Sequence, residues 1–132
     1  MNDRANEPNR ERFPTLLAKS ERYYNDTLYP IMKNYPKAEK YSLCQDTKRA
    51  CSDMIHAIVM ANNLSSRKRV LECLERADAQ KNLLLVYLKT ANCQRYITNK
   101  MLAYQQGQVK EIGSLIGGAQ RFIREYNTRA PA

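Results

Sequence analysis

Pro30 and Pro36 limit what this chain can fold into more than any other residues in it. Each removes a backbone donor and pushes the residue before it away from helical geometry, so no long helix passes through both undisturbed. They lie in LYPIMKNYPKAEKYSLCQDTK, residues 28–48, where one helical pattern stops and another begins. Upstream, Leu16, Leu17, Tyr23, Tyr24, Leu28 and Ile31 recur at helical spacing; downstream, Tyr41, Cys44, Cys51, Met54, Ile55 and Ile58 do the same. The simplest object with this pattern is an αα-hairpin whose two apolar stripes close on each other. The remaining sequence reads as a second hairpin packed onto the first.

The fold class that follows is all-α, an antiparallel up-down-up-down four-helix bundle over residues 13–127. Residues 1–12 and 128–132 read as disordered tails, because they are polar and aperiodic. The first helix is expected from Pro14, a good first-turn residue, to Asn34, with either a bend or a separate last turn at Pro30. The second is expected from Pro36 or just after it to about Asn62, with Glu39 in its first turn. Ser65 or Ser66 then caps a third helix over about residues 66–94, with Val70, Leu74, Ala77, Leu84, Leu88 and Ala91 on one stripe. Only Lys81 interrupts that stripe; it either pairs with Asp78 or lays its stem along the margin of the core. A connection over residues 95–103, with Thr98 as a capping candidate, leads to a fourth helix. That helix carries Tyr104, Val109, Ile112, Leu115, Ile116, Ala119, Phe122, Ile123 and Tyr126. The residues expected in the core include Cys44, Cys51, Leu74, Leu84, Leu88, Ile112 and Ile116.

Gly113, Gly117 and Gly118 stand out, since a glycine inside a helix costs roughly 1 kcal/mol relative to alanine. Close approach of another helix would account for them. That helix belongs either to the same chain, as internal packing, or to a second subunit, as an oligomer contact. The segment is too polar for a membrane dimerisation motif.

Residue chemistry argues against an enzyme. The single His, His56, lies mid-helix among Met54, Ile55 and Ile58, where a packed or boundary role is the ordinary one. No nucleophile has a base beside it, GSLIGG is neither a P-loop nor a dinucleotide fingerprint, and no Glu-x-x-His pair supports a di-metal bundle. The four Cys never form C-x-x-C, which suits reduced, partly buried thiols in a cytoplasmic protein and gives no metal site. No cofactor is expected, and no signal peptide or membrane span is evident.

Charge is the informative remainder. The net charge is +9, and 12 of the 22 Lys and Arg fall after residue 64. Such a balance favours nucleic acid as a partner before a membrane surface, against the plainer reading of charge kept for solubility. In the expected bundle, Arg67, Lys68 and Arg69 come toward Arg121 and Arg124 at one end. Lys33, Lys37, Lys40, Arg95 and Lys100 gather at the other. Each end would neutralise several phosphates, and exposed Tyr would add stacking surfaces, although Tyr at helical spacing is first of all core.

LYPIMKNYPKAEKYSLCQDTK, followed well down the chain by EIGSLIGGAQRF, resembles a four-helix-bundle family. It includes the accessory variability determinant of diversity-generating retroelements and related proteins encoded in intervening sequences of bacterial large-subunit rRNA genes. The resemblance covers roughly residues 16–124. It is carried by Tyr29-Pro30, by Pro36-Lys37 with Glu39-Lys40, and by Glu111-Ile112-Gly113 through Gly117-Gly118. It implies a non-catalytic homopentamer with a basic surface that binds a reverse transcriptase and template RNA or an RNA/DNA hybrid. Where the family often has a Trp after the paired glycines and a basic residue after the first one, this chain has Ala119 and Ser114. Three readings stay open at this point: the retroelement subunit, the rRNA intervening-sequence relative, and a basic helical adaptor.

Overall fold

In a computed structural model, which describes residues 12–129 and side chains as far as Glu125, the chain forms four helices and, among the described residues, no strand. The expected tail 1–12 lies outside the described residues except for Arg12. Of the expected tail 128–132, Thr128 and Arg129 continue the last helix and residues 130–132 lie outside the description.

Helix α1 consists of three contiguous stretches: α-helical Pro14–Arg22, π-helical Tyr23–Leu28 and α-helical Tyr29–Met32. The π stretch explains how Pro30 is passed without a break. In a regular helix its ring would meet the carbonyl four residues back. Here the helix widens just before the proline, and the Tyr29 N–H bonds the carbonyl of Tyr24, five residues back. Past Met32 the chain tightens through bonds from Lys33 to Pro30, Asn34 to Ile31 and Tyr35 to Met32, and Pro36 is extended.

The second helix does not begin at Pro36. A 3-10 turn, Lys37–Glu39, comes first, and α2 spans Leu43–Asn63. Glu39 therefore lies outside the helix and caps it from there. Its Oε1 accepts from the Ser42 hydroxyl at 2.6 Å and from the Leu43 N–H at 3.3 Å. Its Oε2 accepts from the Tyr96 hydroxyl at 2.7 Å.

Helix α3, Arg67–Cys93, follows its expected bounds, and the Ser66 hydroxyl accepts from the Arg69 N–H at 3.4 Å. It ends in a left-handed turn: Arg95 has φ 67°, its N–H bonds the Asn92 carbonyl, and the Tyr96 N–H bonds the Ala91 carbonyl, each at 2.9 Å. This pair of bonds satisfies carbonyls that the helix end would otherwise leave open. Helix α4, Asn99–Arg129, begins earlier than the apolar pattern suggested, because Thr98 caps it by accepting from the Met101 N–H at 3.1 Å. Its first turn already brings Met101 and Leu102 partly against the core.

The longest interface joins α2 to α3, the next α3 to α4, and α1 rests on both α2 and α4. With connections this short, consecutive helices are antiparallel and the bundle runs up-down-up-down. At one end the Phe13 N–H donates to Asn62 Oδ1 at 2.6 Å. At the other the Tyr35 and Tyr96 rings pack at 5.5 Å beside the Glu39–Tyr96 bond. Midway, the Tyr23 hydroxyl donates to Gln105 Oε1 at 2.7 Å, and Gln105 Nε2 reaches the carbonyl of Thr27. The π stretch is thereby fixed to α4.

Cys44, Cys51, Leu74, Leu84, Leu88, Ile112 and Ile116 are all buried, as expected. Three aromatics on the expected stripes are not: Tyr41, Tyr104 and Phe122 are 79%, 59% and 55% exposed. Tyr41 belongs to the turn before α2, whereas Tyr104 and Phe122 line grooves beside α1. His56 is exposed on α2, neither packed nor at the boundary.

Candidate nucleic-acid interface

The up-down-up-down order sets the sequence-predicted cations toward the two ends of the bundle. At the first end, the opening turn of α3 carries Arg67, Lys68 and Arg69. The start of α1, from Arg12 to Leu16, lies against Ser114, Leu115, Gly118, Ala119 and Phe122 of α4, which carries Arg121 and Arg124 in the same stretch. Lys68, Arg69, Arg121 and Arg124 are exposed, and Arg67 is half-buried.

At the second end, Lys33, Lys37, Lys40, Arg95 and Lys100 are all exposed. The Glu39–Tyr96 bond ties the proline joint to the connection before α4, and Lys100 shares a groove of about 500 Å³ with Pro30, Ile31 and Asn34. Glu39 is held below the ordinary carboxylate range by the Ser42 hydroxyl first, then the Tyr96 hydroxyl and the Leu43 N–H. It stays anionic among these cations. The Lys48 ammonium lies 4.7 Å from the Tyr29 ring centre, and Lys40 lies 5.4 Å from that of Tyr41.

A third basic feature escaped the sequence reading. Between α3 and α4 runs a groove of about 690 Å³ lined by Lys81, Leu85, Val86, Lys89, Gln106, Lys110, Gly113, Ser114, Gly117 and Arg121. Four of these ten residues are cations and none is acidic. Only Arg121 was expected in a nucleic-acid site. The signal was a four-residue rhythm on α4, with Lys110, Gly113, Gly117 and Arg121 on one face, set against Lys81 and Lys89 on α3.

The glycines have a more specific role than helix-to-helix approach. A Cβ on Gly113 would lie 3.0 Å from Lys81 Nζ and 3.1 Å from its Cδ, so this glycine makes room for the lysine stem. Lys81 in turn bonds Asp78 Oδ1 at 2.8 Å, with its side chain 16% exposed; it is both paired and laid along the core margin. At Gly117 and Gly118 the nearest side chain is Arg121 of the same helix, at 3.7 and 3.8 Å from the added carbon. Gly113 is thus covered within the chain. At Gly118, as at Gly117, no other helix comes within 4 Å of the added carbon.

Among the described residues no group of three or more His, Cys, Asp or Glu is arranged to hold a metal ion. Cys44, Cys51 and Cys73 are buried and Cys93 is exposed, all as free thiols. Burial pushes the Cys51 thiol up to about 12, so it is a packing residue and not a nucleophile. Among the described residues no helix is long and apolar enough to cross a membrane.

Comparison with known proteins places this architecture. Searches of curated proteins and of solved structures gave no match. A family model described as bAvd-like matches residues 15–123, from the first turn of α1 to the end of the described core on α4. On that match, which takes in all four helices, the chain belongs to the bAvd-like family.

Proposed function

We propose that this chain is the accessory protein of a diversity-generating retroelement. It binds the element's reverse transcriptase together with template RNA or the RNA/DNA hybrid, performs no catalysis of its own, and works in the cytoplasm. The observation that carries the reading is the family match over residues 15–123. The charge of +9, borne by exposed cations at both bundle ends and along the α3–α4 groove, supports it. Contacts of this kind go mainly to phosphates, so binding is tolerant of base sequence and steep in salt, with log affinity falling by about 0.7–0.9 per phosphate for each log unit.

The assembly that goes with this reading is a homopentamer with subunits meeting near Gly118. A ring repeats each basic patch, so that patches weak in one subunit act together. The test is co-purification of the full chain with the reverse transcriptase encoded beside it, with RNA binding titrated at two salt concentrations and light scattering for subunit number. Stable co-purification, salt-sensitive RNA binding and a pentamer are expected. Charge reversal at Arg67, Lys68 and Arg69, or at Lys37, Arg95 and Lys100, should weaken RNA binding without loss of helicity. A folded monomer that binds neither the enzyme nor RNA would overturn the reading.

A further inference from the structure

We infer that the groove between α3 and α4 seats the sugar–phosphate backbone of a single nucleic-acid strand. The inference rests on the nucleic-acid part of the proposed function and gives it a location. Lys81 and Lys89 lie about 12 Å apart along α3, and Lys110 and Arg121 about 16 Å apart along α4, at ~1.5 Å per residue. Cations at these separations on both walls match a short run of successive phosphates. Lys89, Lys110 and Arg121 are exposed, and no carboxylate lines the groove. With Lys81 paired to Asp78, the charges of Lys89, Lys110 and Arg121 around one concavity repel each other, and an anion laid between them removes that cost.

The floor and rim fit a chain and not a compact anion. Gly117 leaves part of the α4 side of the groove without a side chain, so a sugar–phosphate backbone can approach the helix closely there. Lys81 does not wander: Asp78 and the space above Gly113 fix its stem, so one cation is held in place before binding. Leu85 and Val86, the latter 55% exposed, supply apolar surface against which unpaired bases can lie. A concave groove lined on both walls admits a strand with its bases turned aside. A duplex, whose backbones lie on its convex outside, reaches only the rim.

The test uses fluorescence anisotropy with a short labelled oligouridylate, the matching single-stranded DNA and an RNA duplex, on the full chain. Two variants separate the groove from charge in general. Lys89→Glu with Lys110→Glu reverses two walls of the groove. Gly117→Gln leaves the net charge alone and puts a side chain into it; an added Cβ there meets nothing nearer than 3.7 Å, so the fold tolerates it. The charge variant should bind both single strands at least about tenfold more weakly, with a salt slope shallower by about 1.4, two contacts at ~0.7 each. Gly117→Gln should weaken single-strand binding with reverse transcriptase co-purification intact. If both variants bind as wild type does, or if the duplex is preferred, the groove is not the seat, although the proposed function survives. If the unaltered chain binds no RNA, the nucleic-acid part of that function falls and the inference with it.

Discussion

Arg95 holds a backbone conformation that suits another residue. At φ 67° it closes α3 in the left-handed region, where glycine is the usual occupant. An L side chain pays roughly 1–2 kcal/mol there, while glycine loses roughly 0.5–1 kcal/mol in chain entropy. Arg95→Gly should therefore raise stability by about 0.5–1 kcal/mol in urea unfolding and remove one cation from the joint end. Tyr35 offers a second gain. Its hydroxyl is buried with no hydrogen-bond partner among the described residues, and burial, then the neighbouring Cys44 thiol, pushes it up to about 12. Tyr35→Phe keeps the ring contact with Tyr96 and removes the unpaired group, so unfolding should become harder by about 1 kcal/mol. An unchanged midpoint would mean that water already satisfies the hydroxyl.

Among the elements, α3 was the most legible, because its apolar stripe is long and its cap is Ser66, one of the two serines the sequence offered. The start of α2 was not legible. Glu39 looked like a first-turn carboxylate, and its second oxygen accepts from Tyr96, distant in sequence and brought close only by the bundle. The π stretch was equally hidden: Pro30 announced a disturbance, but the way it is absorbed depends on Tyr23 and Thr27 meeting Gln105. The α3–α4 groove was missed for a related reason. Runs of charge such as Arg67 to Arg69 are visible in sequence, whereas single lysines on two helices form a surface only after those helices pack. Glycines on α4 show how position decides cost. Gly107 has nothing within 4 Å of an added Cβ, so Gly107→Ala should stabilise by about 1 kcal/mol in urea unfolding. Gly113→Ala should gain less or lose outright, because its Cβ would displace Lys81.

For the whole molecule, the two ends of the bundle are closed by different chemistry. Phe13 and Asn62 meet through a neutral hydrogen bond that no ordinary change of pH disturbs. The opposite end depends on a carboxylate, Glu39, that accepts from Ser42, Leu43 and Tyr96 at once. Its pKa is lowered on folding, so its contribution is present above the ordinary value of 4.5 and is lost as pH falls through the lower folded value. Comparison with Glu39→Gln separates its share, since the amide does not titrate and its single oxygen can keep the bonds from Ser42 and Leu43 while its Nε2, a donor, cannot accept from Tyr96. Thermal unfolding followed from about pH 6 down to about pH 3 should show the wild type above the variant at the start. The gap should close as Glu39 is protonated. In the same interval hydrogen exchange should quicken first at Leu43 and Tyr96 and not at Phe13. A gap that stays constant across the range would mean that Glu39 acts by shape alone, and both ends would then open together in acid.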